Sequence, residues 1–504
     1  MSLFRINSNV NSILAQRVLA QHNRNLNKSL EQLSTGYRIN RGSDDPAGLV
    51  ASENLRSEMV SLSAAITNAE RAGHIASVME GGLQEVGGLL QEVQGLITAN
   101  SSTGGLSDEE KQANQLQIDQ ILQAIDRIAS TTTFNGIKLL NGSQDFHVSN
   151  MNSIVTDYSI NSAKLKHGKM LDVDMIVMES AQRGTLFLNF MVDHVMAGGS
   201  SQEQPFTVEV AGAKGTREFS FSSGTPLASV AEAINLFEDG LGVVAEVSGN
   251  YVKLQSSEFG SDHFVSVDVK DIPSGLVGSV DKAAVDDTNV VMGVSRQFIS
   301  MTAPIRDKGR DISAVINGVV ARGKGLAASI SSDALDMSIT LDGNSAASQT
   351  IGSLELFRVT NGGMVFNIGP EVNINSQIRL GIGSIASRNL GNSINGRLDE
   401  LGSGGLFDVD SGKLDSAQKI VNSAIDDIAQ MQGRMGGFQK YVVQSSIKSF
   451  GVALENLTAA ESAIRDTDFA QATADLTRHQ VLSQVAVSVL AIANSQAQAV
   501  LALL

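Results

Sequence analysis

Apolar residues recur at helical spacing near both ends of this chain and alternate at strand spacing between them. From Val481 to Leu504 there is no Asp, Glu, Lys or Arg. Within that stretch Leu482, Val485, Val489, Ile492, Gln496, Ala499 and Leu503 follow one another at alternating spacings of three and four, the pattern of a coiled-coil seam. Gln496 is its one polar position and a means of setting register. Near the other end Val10, Leu14, Val18, Leu26, Leu30, Leu33 and Tyr37 form a looser helical stripe among Asn, Gln and Ser, basic and free of acid up to Leu30. Isolated helices with such thin stripes are marginal, so both are expected to stay mobile until neighbours pack on them.

Inward of these ends, Asp44-Asp45-Pro46 reads as a helix start, with an Asp cap and proline at the first helical position. Leu55, Met59, Leu62, Ile66, Ala69, Gly73 and Ala76 then predict a rod-like helix reaching roughly Ile97. After the turn-rich SSTGG, Ser107 and Glu110 form a capping box, opening a helix whose apolar face is Ile118, Ile121, Ile125 and Ile128. Val421, Ala424, Ile428, Met431, Met435, Phe438 and Val442 repeat the seam near the C-terminal end. The alternating runs PFTVEV, REFSFSS, NYVKLQS and FVSVDVK predict a β-rich insertion from near Ala197-Gly198-Gly199 to about Gly362-Gly363. The expected fold class is therefore multidomain α+β: an elongated helical coiled-coil or bundle core built from both termini, with a nested β-rich outer insertion.

Composition narrows the functional classes. Against 37 basic residues stand 53 acidic ones, a formal net charge of -16, which would repel phosphate backbones and anionic membranes. Nucleic acid is not an expected partner. There is no cysteine, so thiolate metal sites and cysteine nucleophiles are excluded. The N-terminal residues lack the continuous apolar segment and small-residue cleavage site of a secretory signal. The uncharged C-terminal stretch is long enough to span a membrane, but Ser483, Gln484, Asn494 and Gln498 would be costly facing lipid. No membrane span is expected.

The residues themselves resemble a family. STGYRINRGSDDPAGLVASENLRSE, Ser34 to Glu58, is similar to the N-terminal signature of bacterial flagellins. TTTFNGIKLLNG, Thr131 to Gly142, resembles the end of that family's second N-terminal helix, and ENLTAAESAIRDTDFAQATADLTRHQVLSQ, Glu455 to Gln484, its C-terminal signature. The resemblance implies a filament subunit for motility that leaves through a type III export channel unfolded and self-assembles through its ends. It also implies an export chaperone, filament cap and hook-filament junction proteins as partners, and no cofactor. The implied domains are 1-44 plus 459-504 as an inner coiled coil lining the channel, 45-175 plus 370-458 as a helical tube with a β-hairpin region, and 176-369 as an outer domain. The piece at about 203-270 resembles a β/α module of long flagellins and hook-associated proteins, with a fainter echo from Ile316 to Gly325.

On this reading the polymerisation residues are Val10, Leu14, Val18, Leu26, Leu30, Leu33, Leu482, Val485, Val489, Ile492, Gln496 and Leu503. The tube seams comprise Leu55, Met59, Leu62, Ile66, Ile121, Ile125, Ile128, Ile428, Met431, Met435 and Phe438. Gln91, Glu92, Val93, Gln94 and Leu96 match the face that innate receptors of animals read in the family. Many flagellins carry arginine where this chain has Glu92, which implies weaker recognition.

Little in the sequence points to catalysis. Asp408-Val409-Asp410-Ser411-Gly412 begins like a calcium loop, but its twelfth position is Lys419 instead of a bidentate carboxylate. The seven histidines, at 22, 74, 147, 167, 194, 263 and 479, form no HExxH and no close pair in sequence. Gly81, Gly82, Gly87, Gly88 and Gly95 each cost about 1 kcal/mol relative to alanine inside a helix; close helix approach or a local break would explain them. A hook-filament junction protein shares the terminal features, and a tail-anchored adhesin is the reading from another class.

Overall fold

The computed structural model describes residues 8–102, 106–165, 169–195, 205–271, 276–283, 292–343 and 352–501. The chain divides into two compact units, one of Met1–Ile75, Phe366–Gln377 and Gly437–Leu504, the other of Ala76–Val365 and Ile378–Gly436. Eight α-helices occur among the described residues: α1 (Val10–Thr35), α2 (Pro46–Asn100), α3 (Asp108–Thr131), α4 (Leu227–Asn235), α5 (Glu238–Leu241), α6 (Leu414–Gly437), α7 (Gln444–Arg465) and α8 (Phe469–Leu501).

α2 shows most directly how sequence period becomes structure. From Leu62 onward its buried positions are Leu62, Ala65, Ala69, Ala72, Ala76, Met79, Leu83, Val86, Leu90, Val93, Ile97 and Asn100. They alternate by three and four without interruption, a strict heptad that keeps one face inward. Of the expected seam Leu62 is buried; Leu55 and Met59 continue the buried line toward the start of α2 and Ile66 lies beside it, all three half-exposed. No break accompanies the glycines: α2 is continuous. Close approach holds only at Gly82, where an added Cβ would meet Leu140 Cδ1 at 2.8 Å, a residue outside any helix. Gly87 has ordinary contacts with Gln432 and Ile428, and Gly81, Gly88 and Gly95 have open space within the subunit.

α3 begins at the capping box, with Glu110 N–H donating to Ser107 Oγ at 3.3 Å and Ser107 N–H to Glu110 Oε2 at 2.8 Å. Its buried line is Gln115, Ile118, Leu122, Ile125 and Ala129. Ile121 and Ile128 are only half-buried, because the true stripe is centred between the two isoleucine rows. In α6 Val421, Ala424, Ile428 and Met435 are buried and Met431 is half-buried. Beyond it a π-helical turn, Phe438–Val443, separates α6 from α7. The wider turn takes up an extra residue, so Phe438 and Val443 are buried and Val442, the expected next position, is half-exposed.

The β-rich part lies in the second unit and starts earlier than the alternation suggested, with paired strands from Thr133 onward. The expected start at Ala197-Gly198-Gly199 lies outside the described residues, and the expected boundary at 175/176 falls inside the strand Leu171–Glu179. That strand buries every second residue from Val173 to Val177, the period-two pattern of a sheet with one covered face. It lies between Ser313–Ile316 and Gly352–Gly362 in an antiparallel sheet. A second sheet runs Arg322–Lys324, Ala327–Ser331, Leu335–Leu341 and Val155–Ala163. Their inner faces share one core that includes Met175, Ile316, Met337, Ile339 and Leu356.

A separate core serves the module. There α4 and α5 join the strands Phe206–Gly212, Val243–Ser248, Tyr251–Ser256 and Phe264–Asp271 around Phe190, Phe206, Val230, Ile234 and Phe298. Glu203, the expected start of the module, lies outside the described residues. The fainter echo at Ile316 is a hairpin, turning at Asn317 and Gly318 with φ of 46° and 80°.

Candidate polymerisation interface

The two signature segments, more than four hundred residues apart in sequence, interlock in the first unit. α1 ends at Thr35 with Gly36 in the left-handed conformation at its cap, so Tyr37 lies beyond the helix and leaves the expected stripe. Instead Tyr37 bridges to Asp466. Arg38 N–H donates to Arg465 O at 2.7 Å, and Thr467 N–H to Gly36 O at 2.9 Å. The Arg465 guanidinium stacks over the Tyr37 ring at 4.9 Å and pairs with Glu53 at 2.9 Å.

The turn into α2 explains the dense motif around Pro46. Asp45 Oδ1 accepts from Gly48 N–H at 2.9 Å, capping the helix. A Cβ at Gly48 would meet Asp45 Oδ2 at 2.5 Å and Ile39 Cδ1 at 2.7 Å, so a side chain there would have to displace the capping carboxylate and the buried Ile39. Asp44 accepts from Arg41 N–H at 3.0 Å and from Lys28 at 3.1 Å. Burial pushes the Asp44 carboxyl up, but hydrogen bonds from Lys28, Arg41 and Asn40 outweigh it and hold the group below its ordinary value.

Above this turn α1 and α8 run antiparallel, as Asn9 Nδ2 donates to Ala493 O at 2.8 Å while Ser483 Oγ, ten residues earlier in α8, donates to Asn23 at 2.9 Å. Ser12 Oγ adds a bond to Asn494 at 2.8 Å. The α1 face that is withdrawn from solvent is Ser12, Ala15, Leu19, His22, Leu26, Ser29 and Leu33. Its counterpart on α8 is Ala472, Leu476, His479, Ser483, Ala486, Leu490 and Ala493. Both keep heptad spacing and mix small residues with leucines: Ser12, Ala15 and Ser29 stand among Leu19, Leu26 and Leu33 on α1, and Ala472, Ser483, Ala486 and Ala493 among Leu476 and Leu490 on α8.

The contact within the subunit leaves most of the expected positions unused. Of the α1 positions named for it, Leu26 and Leu33 lie on the packed face, whereas Val10, Leu14, Val18 and Leu30 are exposed. On α8 the packed row is displaced by one residue from the expected one. Leu482 is half-buried; Val485, Val489 and Ile492 remain 51%, 48% and 59% exposed, and Gln496 is exposed too. Leu503 lies outside the described residues. The intramolecular contact uses the row beside the exposed positions, in which Ser12, Ala15, Ser29, Ala472, Ala486 and Ala493 are the most deeply buried. An open groove of about 450 Å³ follows, lined among others by Leu14, Val18, Leu482, Val485 and Val489.

A histidine pair joins the two rows. His22 and His479 occupy corresponding positions, with ring centroids 6.0 Å apart. No sequence spacing could reveal this pair, because its members come from opposite ends of the chain. Sliding either helix by a turn would part the pair and set a histidine against Leu19, Leu26, Leu476 or Ser483.

The remaining candidates are quickly placed. Gln91 and Glu92 are exposed, Gln94 and Leu96 are half-buried, and Val93 is fully buried in the α2 seam, so it offers nothing to an external receptor. Asp408 precedes a short 3-10 turn that ends at Gly412 with φ 69°, and Lys419 pairs with Asp239 at 2.8 Å. Among the described residues no group of three His, Cys, Asp or Glu is placed to hold a metal, and no helix is long and apolar enough to cross a membrane.

Comparison with known proteins places this geometry in a family. Residues 6–145 match the bacterial flagellin N-terminal helical region and residues 418–504 the bacterial flagellin C-terminal helical region. Flagellin B of Helicobacter pylori is 29% identical, covering 99% of each chain. The B-type flagellin of Pseudomonas aeruginosa is 27% identical, again over 99% of both. Flagellin of Salmonella choleraesuis is 26% identical over the same shares. Both family regions contain the helices that interlock here, and the full-length relatives share one name. The chain belongs to the bacterial flagellins, a structural protein family, and is a self-polymerising subunit of the flagellar filament, exported outside the cell.

Proposed function

We propose that subunits polymerise through the outward stripe of the α1–α8 pair: Val485, Val489 and Ile492 on α8 with Val10, Leu14, Val18 and Leu30 on α1. The observation that carries this reading is the sorting of side chains. Small residues and leucines fill the rows between the two helices, while a second row of large apolar residues, Val10, Leu14, Val18, Leu30, Val485, Val489 and Ile492, stays exposed. A single subunit gains nothing from that exposure, whereas a contiguous exposed apolar surface serves association. Residues 1-44 and 459-504 then form the inner coiled coil, residues 45-175 and 370-458 the surrounding tube, and residues 176-369 the outer domain.

The family supports further assignments. The chain is carried as an unfolded export substrate by a chaperone, assembles beneath a filament cap and begins on hook-filament junction proteins. Its role is mechanical, without catalysis.

Seeded polymerisation of Val489→Asp tests the interface. The substitution falls on an exposed site, so the subunit should keep its thermal midpoint while filament yield drops at least tenfold by sedimentation and electron microscopy. Normal filament yield would remove Val489 from the interface. A ring that stops growing, from the unsubstituted chain, would favour a junction protein instead.

A further inference from the structure

Within the second unit, a cavity of about 730 Å³ lies between α6 and the strand Val155–Ala163. Three carboxylates line it, Asp427 from α6, Asp157 from the strand and Asp145 from the preceding turn, with the guanidiniums of Arg397 and Arg434. Each carboxylate accepts one backbone hydrogen bond. Gly391 N–H donates to Asp427 at 3.0 Å, Tyr158 N–H to Asp157 at 2.8 Å and Phe146 N–H to Asp145 at 2.8 Å. Among the described residues none of the three forms an ion pair. Arg434 is spent elsewhere, donating to Asn161, which in turn donates to Asp336 at 2.7 Å.

We propose that this cavity is a proton-operated joint: charged Asp427 and Asp157 repel across it, and a proton on Asp427 removes the repulsion and tightens α6 onto the strand. Every charged group facing the pair enters the balance. Burial raises the Asp427 carboxyl from 3.8 to about 6; the Gly391 N–H opposes the rise, Asp157 and Asp426 add to it, and Arg397 opposes it. Burial also raises Asp157, against the Tyr158 N–H and Arg397, and Asp145, against the Phe146 N–H, Arg434 and His147. Burial lowers Arg434, against Asp336 and Asp145.

The sign follows from proton linkage. Between 3.8 and about 6 the folded chain holds a proton on Asp427 that the unfolded chain has lost. The stability this proton contributes is therefore present in acid and lost as pH rises through about 6. The joint is tight in mild acid and loose at neutral pH, opposite to the usual acid weakening of proteins held by paired carboxylates.

Unfolding of the full-length monomer at about pH 5 and about pH 7.5, unsubstituted and as Asp427→Asn, tests the joint. The unsubstituted chain should lose about tenfold more of its folding equilibrium constant over that interval than the variant. Asp426→Asn, at the exposed neighbouring position, should keep most of the unsubstituted response. Equal pH dependence for Asp427→Asn and the unsubstituted chain would overturn the proposal. Should Asp427→Asn fail to fold, hydrogen exchange at the Gly391 amide of the unsubstituted chain decides. Protection corrected for intrinsic rate should fall on raising the pH, and pH-independent protection would overturn the proposal equally.

Discussion

The α2 seam and the α1–α8 pair obey the same heptad rule and solve opposite problems. Along α2, Met79, Leu83, Val86, Leu90, Val93 and Ile97 are each no more than 2% exposed. Large side chains point inward, and the subunit completes that seam itself. Along α8 the inward row holds Leu476 and Leu490 as well as Ala472, Ala486 and Ala493, and only the alanines are fully buried, while Val485, Val489 and Ile492 stay in solvent. The contrast teaches that periodicity locates a seam, and that a second apolar row left exposed beside it marks a surface the chain leaves for a neighbour.

The strongest way to break that contrast is to empty the closed seam. Leu90→Ala should destabilise the monomer by about 2–5 kcal/mol, read as a shift in denaturation midpoint, because a fully buried leucine leaves a cavity. A cost near zero would mean that the seam is not closed within the subunit. Ala486→Leu probes the packed row. Forcing a large side chain into the α1–α8 contact should cost about 1–3 kcal/mol and lower α1–α8 helicity. If Leu is accepted without loss, the close approach inferred from alanine is wrong. The smallest effect is expected at Gly88, which faces open space. Gly88→Ala should stabilise the monomer by up to about 1 kcal/mol through helix propensity; destabilisation would indicate a steric neighbour within the subunit.

Much of the helical frame was readable because periodic burial leaves a periodic trace. The start of α2 at Pro46, the capping box at Ser107 and the row through Val421, Ala424 and Ile428 all have local causes. Other features have none. The π turn at Phe438–Val443 displaces the buried row from Val442 to Val443, and nothing in FQKYVV announces an extra residue per turn. On α8 the stripe was placed one residue away from the packed row, since hydrophobicity ranks valine above alanine while close helix packing ranks them the other way. A β-hairpin region before residue 176 was expected, but the strand Val155–Ala163 was not legible, because VTDYSINSA is too polar to stand out although its buried residues complete the sandwich.

Long-range pairing was the least legible. Arg465 meets Tyr37 and Glu53, and His22 meets His479, only after the ends of the chain are brought together. The resemblance of both ends to one family implied that they associate, without indicating which residues touch. Asp427 was similarly silent: an aspartate on an amphipathic helix looks solvated until the strand Val155–Ala163 is laid beside it.

The central claim is that α8 offers its large apolar row to other subunits and not to its own α1. Deleting Val489 to Leu504 removes the end of that row while sparing the interlocked turn at Tyr37 and Asp466. Seeded polymerisation of the truncated chain, followed by sedimentation and electron microscopy, is the most direct measurement. The account predicts a soluble, folded, partly helical monomer that adds to no filament; filaments of normal yield and length would contradict it.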